Sequence, residues 1–238
     1  MENQNMMSRR ALMTSAGCGL GLAAVAAGRI ATGGPPTEDN KQLLKFNNAE
    51  LYGADGSLQE VKAKKAILRL CEYHKYPVFP DLEKNLWVSD YGLGKFTTLG
   101  LAACIFCNNV EDRYMIMDLF ILPGQMLPEH WHLESEGNPA KREGWLVRWG
   151  MSHIVGIGEP NLGSDVVVPE CHWGGKVTTK HEVVAKPGMF VPLAQVESPH
   201  WQLGGPEGAI ITEVANVHTG AGVRHSDPVL NDYFLKSL

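Results

Sequence analysis

From about Trp87 onward the chain breaks into short apolar runs at 98–107, 114–122, 144–149, 153–157, 165–168, 181–185, 189–191, 201–203 and 209–217. Gly-, Pro- and Asn-rich turns divide them. Runs of this length, punctuated this often, read as strands rather than helices. Many short strands can bury their apolar faces only by packing two sheets or curling one sheet shut. The expected fold is therefore all-β dominated, a sandwich or a barrel. A chain of 238 residues can bury such a core without metal or disulfide staples.

The residues before Trp87 follow other rules. Segments 40–48 and 58–74 carry helical spacing. In the second, Val61, Ile67, Leu68, Leu70 and Cys71 make an apolar side, with Lys62, Lys64 and Lys65 in solvent. Pro77 and Pro80 end the helical region. Further upstream, Arg9-Arg10 precedes an apolar Gly/Ala-rich run, and no acidic residue lies between Glu2 and Glu38. This is the pattern of a twin-arginine-like signal, which implies export to the periplasm or beyond. The run is too mildly hydrophobic for a permanent span. The expected organisation is a signal peptide over 1–30, a linker over 31–36 marked by Gly33-Gly34-Pro35-Pro36, an N-terminal helical extension over 37–86, and a barrel over 87–238.

A net charge of −5 leaves no basic footprint for nucleic acid. Cys104-Ile105-Phe106-Cys107 has redox-motif spacing, but it sits inside an apolar strand where alternation points the two sulfurs apart. With Cys71, these cysteines read as unpaired structural thiols.

The chemistry centres on His130-Trp131-His132. Two histidines at i and i+2 on a strand face the same way, with Trp131 on the other face. Glu143 follows ten intervening residues later, and His200 lies further on. Three imidazoles and a carboxylate form a donor set for a divalent metal. The remaining histidines read as structural, with His218 and His225 flanking a glycine-rich loop at a pocket mouth.

Gly124 stands six positions before His130, and Glu143 is followed after six residues by Gly150. This spacing resembles the first metal motif of the cupin superfamily, with a longer gap before the glutamate. Glu136 has the shorter gap but lacks the downstream glycine, so Glu143 is the choice. Lys186-Pro187-Gly188 followed by Pro199-His200-Trp201 resembles the second motif. Asp90-Tyr91-Gly92-Leu93-Gly94, Leu122-Pro123-Gly124-Gln125, Glu129-His130-Trp131-His132, Lys141-Arg142-Glu143 and Glu213-Val214-Ala215-Asn216-Val217 narrow the likeness further. Together they resemble the D-lyxose isomerase family of cupins, over roughly 79–227.

The resemblance implies a cupin β-barrel (jelly-roll) and an aldose–ketose isomerase acting on D-lyxose/D-xylulose or a similar sugar such as mannose/fructose. His130, His132, Glu143 and His200 would hold the metal, Mn²⁺ first, with Fe²⁺, Co²⁺ or Zn²⁺ as other occupants. Glu213, a carboxylate amid apolar strand residues, would be the base, and Lys141 the acid or oxyanion partner. Arg224, Gln125 and Glu129 would border the sugar, and Trp145 and Trp201 would pack beside it. A homodimer is the expected assembly. Two other readings of the same barrel stay open: a non-haem iron dioxygenase, and a non-catalytic, metal-dependent sugar-binding cupin.

Overall fold

The computed structural model describes residues 41–236. The signal and linker expected over 1–36 lie outside the described residues. Of the helix expected over 40–48, residues 41 and 42 are helical before a turn, and a short 3-10 turn occupies Asn48–Leu51. Helix α1 spans Glu60–His74 and buries Ala63, Ala66, Ile67, Leu70 and Cys71, the stripe that 3.6-residue spacing puts on one side. Val61, expected on that stripe, is instead exposed, because at 3.6 residues per turn it lies about 150° round the helix from the centre of the stripe. Lys75 ends the helix in the left-handed conformation, its N–H donating to the carbonyls of Cys71 and Glu72. A single turn, α2 (Leu82–Asn85), leads to the barrel.

The strands are β1 (Trp87–Ser89), β2 (Leu101–Asn109), β3 (Tyr114–Ile121), β4 (Met126–His132), β5 (Glu143–Gly156), β6 (His181–Ala185), β7 (Phe190–Pro192), β8 (His200–Ala215) and β9 (Val223–His225). They form one curled sheet, ordered β1-β2-β3-β8-β4-β9, with β5 pairing β6, β7 and β8. This is the cupin-type barrel. Residues 165–168, expected as a strand, are a loop. Its Val166 is buried against Trp201, Val155 and Met126 and covers the barrel from outside. A C-terminal helix, α3 (Pro228–Lys236), was not legible as such.

Two cores share the strands. Met117, Leu119, Ile121, Trp145, Val147 and Ile211 fill the barrel interior. Phe120, Leu122, Ile210, Ala102 and Cys104 face outward and meet α1. A strand buried on both faces reads as a continuous apolar run, which is why β3 lacks alternation. Cys71 and Cys104 are buried free thiols in the outer layer, and burial pushes the Cys71 thiol up to about 12.

The two longest strands, β5 and β8, run beside each other through a corner. The second half of β8 pairs with β3, from Met115↔Ala215 to Ile121↔Ala209. Its first half pairs with β4, through Met126↔Leu203 and His130↔His200. Gly150 and Gly208 turn the corner with φ of +70° and +68°. A Cβ on Gly150 would collide with the Gly208 carbonyl oxygen, so close backbone approach requires glycine here. The corner also changes which side chains face inward. Trp201 and Leu203 join the outer cluster before it, whereas Ala209 and Ile211 lie inside after it.

Candidate active site

Alternation on β4 places His130 and His132 on the inner face. Antiparallel pairing sets His200 of β8 opposite His130. The three imidazoles bring one nitrogen each to within 4.8 Å of one another. Glu143 opens β5 and joins them. Its Oε1 lies 3.3 Å from His200 Nε2 and 3.5 Å from His132 Nε2. The long gap before Glu143 is a surface excursion in which Ser135 and Asn138 bridge, leaving Glu136 exposed at its tip.

The protonation chemistry of this group points to a cation. His200 Nδ1 donates to the Ser198 carbonyl at 3.0 Å, and His130 Nδ1 to the Pro128 carbonyl at 2.8 Å. Each neutral ring then presents a lone pair at Nε2. Burial pushes His200 down to about 4 and holds His130 and His132 well below the usual histidine range. The His200 lone pair therefore faces a carboxylate oxygen, acceptor against acceptor. Among the described residues, His132 Nδ1 and Nε2, His200 Nε2 and Glu143 Oε1 are buried with no hydrogen-bond partner. Buried orphans of this kind cost free energy unless something satisfies them. A divalent ion between them fits that donor set.

Lys141 and Glu213 adjoin the cluster. Lys141 Nζ lies 2.9 Å from Glu143 Oε2 and also contacts Glu213 Oε1. Trp145 Nε1 donates to Glu213 Oε2 at 3.1 Å. Both charged residues are buried, 3% exposed each. Burial works against the Lys141 ammonium, but the two carboxylates outweigh it and hold its pKa above the ordinary value. Burial, reinforced by Glu143, raises Glu213 against the opposing pull of Lys141. A carboxylate raised in this way is a better base than one in water.

A cavity of about 410 Å³ opens against this group. His130, His132, Lys141, Glu213, His218 and His225 form its polar wall. Leu101, Leu119, Leu127 and Val223, with the aromatic rings of Trp87, Tyr91 and Phe234, make up most of the rest.

The structure thus brings six of the nine expected site residues together: His130, His132, Glu143, His200, Lys141 and Glu213. The other three do not line the cavity. Gln125 is buried beneath the turn before β4, where its side chain accepts from the Leu122 N–H and donates to the Phe96 carbonyl. Glu129 alternates away from His130. It accepts from Thr178 N, Thr179 N and the Thr179 hydroxyl, and so clamps the 178–179 loop onto β4. Arg224 folds back onto the carbonyls of Ala221 and Val223. Trp145 and Trp201 also stay in the core, Trp201 donating to the Thr179 carbonyl at 3.2 Å. His218 and His225, expected beside a glycine-rich loop at a pocket mouth, are part of the polar wall. Two histidines beside one glycine-rich loop were the available signal, but the pairing of β9 with β4 that aims His225 inward is not encoded locally.

The chain is 36% identical over 139 residues to the D-lyxose ketol-isomerase of Cohnella laeviribosi, covering 57% of this chain and 72% of that one. It is 31% identical over 141 residues to the D-lyxose/D-mannose isomerase of Thermosediminibacter oceani, covering 58% of this chain and 75% of the relative. Among solved structures, the L-ribose isomerases of Cellulomonas parahominis and Geodermatophilus obscurus superpose with TM-scores of 0.54 and 0.53. Their identities are 13% and 10%, covering 74% and 76% of this chain and 94% and 95% of theirs; at that identity the likeness concerns the fold. No protein-family model matches the sequence.

Proposed function

Because the chain belongs to the D-lyxose ketol-isomerase family, we propose that it interconverts an aldose and its ketose in the cavity beneath His130 and His132. D-lyxose/D-xylulose is the first candidate pair and mannose/fructose the second. His130, His132, Glu143 and His200 would hold a divalent ion, Mn²⁺ by preference, since it suits mixed imidazole and carboxylate ligands with oxygen substrates. When bound, such an ion polarises the substrate carbonyl and its neighbouring hydroxyl as a Lewis acid.

One observation supports this reading above the others: Lys141 bridges Glu143 of the histidine cluster and Glu213 beside it. Isomerisation moves one proton between adjacent carbons. Glu213 takes the proton from the carbon next to the carbonyl, giving an enediol, and returns it to the neighbouring carbon. Trp145 fixes Glu213 Oε2, which aims the carboxylate and limits its rotation. The Lys141 ammonium offsets charge that develops on the substrate oxygens, gives a proton to the carbonyl oxygen and recovers one from the neighbouring hydroxyl as that becomes the new carbonyl. The apolar wall keeps bulk water from the enediol. A dioxygenase does not need this lysine–glutamate pair, and a binding protein gains nothing from a buried base.

Assembly as a homodimer is part of the same proposal, and sedimentation of the purified protein reads it. The function is tested by incubating manganese-loaded protein with a panel of aldoses and ketoses in deuterated water. Turnover should bring deuterium to the carbon beside the carbonyl. Oxygen consumption without exchange would replace the isomerase reading with the dioxygenase one.

A further inference from the structure

His225 has no part in the proton transfer above, yet it is built into the cavity. It is 5% exposed, lines the cavity, and among the described residues neither ring nitrogen makes a well-formed hydrogen bond, the Glu129 carbonyl being the nearest backbone acceptor. Its position is nonetheless fixed. The backbone N–H donates to Asn231 Oδ1 at 3.1 Å. The ring is held edge-on between Tyr91 and Phe234, with centroids 5.2 and 5.6 Å away. Packing alone would be served better by a phenyl ring, since a buried imidazole whose nitrogens are poorly satisfied is a net liability.

The register of the sheet shows where those nitrogens lie. His130 is opposite His200 on one side and opposite His225 on the other. The His130 ring is 4.4 Å from that of His200 and 5.8 Å from that of His225. His225 falls outside the group whose nitrogens converge within 4.8 Å. Trp145, which holds Glu213, packs 5.0 Å from His200. The proton-transfer side is therefore the His200 side, and His225 lies beyond His130 from it.

We infer that His225 is a specificity-determining residue that hydrogen-bonds a hydroxyl of the sugar remote from the reacting carbons. This deepens the isomerase reading and rests on it for the orientation of the sugar. A neutral imidazole offers one donor and one acceptor, and a hydroxyl offers the complement of both. Leu101, Leu119, Leu127 and Val223 of the same cavity have no side-chain polar atom to offer it. The substrate class that follows is an open-chain polyhydroxy aldehyde or ketone long enough to pass from Glu213 across His130 to His225.

The test uses manganese-loaded parent, His225→Phe and His225→Gln. Phenylalanine keeps the packing between Tyr91 and Phe234, and glutamine keeps a donor and an acceptor. Three quantities are read: bound metal by elemental analysis, kcat and KM for D-lyxose, and binding of an unreactive pentitol by calorimetry. In His225→Phe the metal should stay, while KM and the pentitol Kd rise about tenfold, the worth of one neutral hydrogen-bonding contact. kcat should change much less, and His225→Gln should recover part of the loss. A His225→Phe protein that binds pentitol as the parent does overturns the inference, and so does one that has lost its metal, since His225 would then be a ligand. Turnover by the parent together with an unaltered KM in His225→Phe sinks this inference alone. Pentitol binding that depends on His225, without turnover of any sugar by the parent, keeps it and sinks the isomerase reading. A parent that neither binds pentitol nor turns over sugar removes both.

Discussion

Replacing Lys141 with methionine keeps most of the length of the side chain, short of its terminal atom, and deletes its charge. In the parent the ammonium lies between two carboxylates that are themselves 5% and 3% exposed, those of Glu143 and Glu213. Without it the metal-free protein holds two buried acids with no counter-ion. Breaking a buried pair in this way costs about 3–5 kcal/mol. At roughly 2–4 °C per kcal/mol for a chain of this size, the melting temperature should fall by about 6–20 °C near neutral pH. The pH dependence is a second signature. Burial already raises Glu213 above the ordinary carboxyl range, and Lys141 is the influence pulling it down. Lys141→Met removes that pull, so the folded-state value climbs further above the unfolded one. A group raised on folding adds stability below its unfolded value and loses it as pH rises through its folded value. The variant should therefore recover against the parent as pH is lowered from about 7 to about 5. Manganese should recover part of the loss at neutral pH by binding only the folded state. Calorimetric melts of chelator-treated parent and variant at both pH values supply the comparison. A melting temperature within about 2 °C of the parent at pH 7, with no dependence on pH in the difference, would refute Lys141 as the buried counter-ion.

Three further outcomes are expected. Glu213→Gln should keep its metal and lose roughly two to four powers of ten in turnover, with carbon-bound deuterium exchange falling in parallel; isomerisation at the parent rate would end its role as the base. His132→Ala should lose most bound metal and activity, because both ring nitrogens are buried without another partner, and elemental analysis showing full occupancy would remove the basis for the site. Changing Arg9 and Arg10 to lysine should leave precursor in the cytoplasm, whereas unchanged export, followed by mass spectrometry of the mature N-terminus, would count against a twin-arginine signal.

The histidine pair was legible because a period of two needs only neighbours. The same rule, applied one residue either way, already turns Glu129 and Trp131 to the opposite face, and Glu129 is found there holding Thr178 and Thr179. Nearness in sequence had placed it at the sugar. Glu143 was separable from Glu136 through its downstream glycine, and Gly150 proves to be a corner residue with positive φ. His200 and Glu213 present the opposite case. They stand thirteen positions apart on one strand, and strict alternation would put them on opposite faces. The irregular pairing around Gly150 and Gly208 reverses that parity, and the reversal depends on a backbone approach that local patterning does not carry. His225 was hidden for a related reason, since it sits on a three-residue strand whose inward aim comes from pairing with residues nearly a hundred positions earlier.

His200 and Glu213 thus share a strand and its neighbour β5, but differ in the strand on the other side: β4 for His200, β3 for Glu213. The bend between them works as a joint at which β8 changes one partner, while Trp145 of β5, bonded to Glu213 and packed on His200, ties the two halves together. Substitutions that loosen β3 or its partner β2 should slow proton transfer while the ion stays in place. Those that loosen the Glu129 clamp behind β4 should release the ion first.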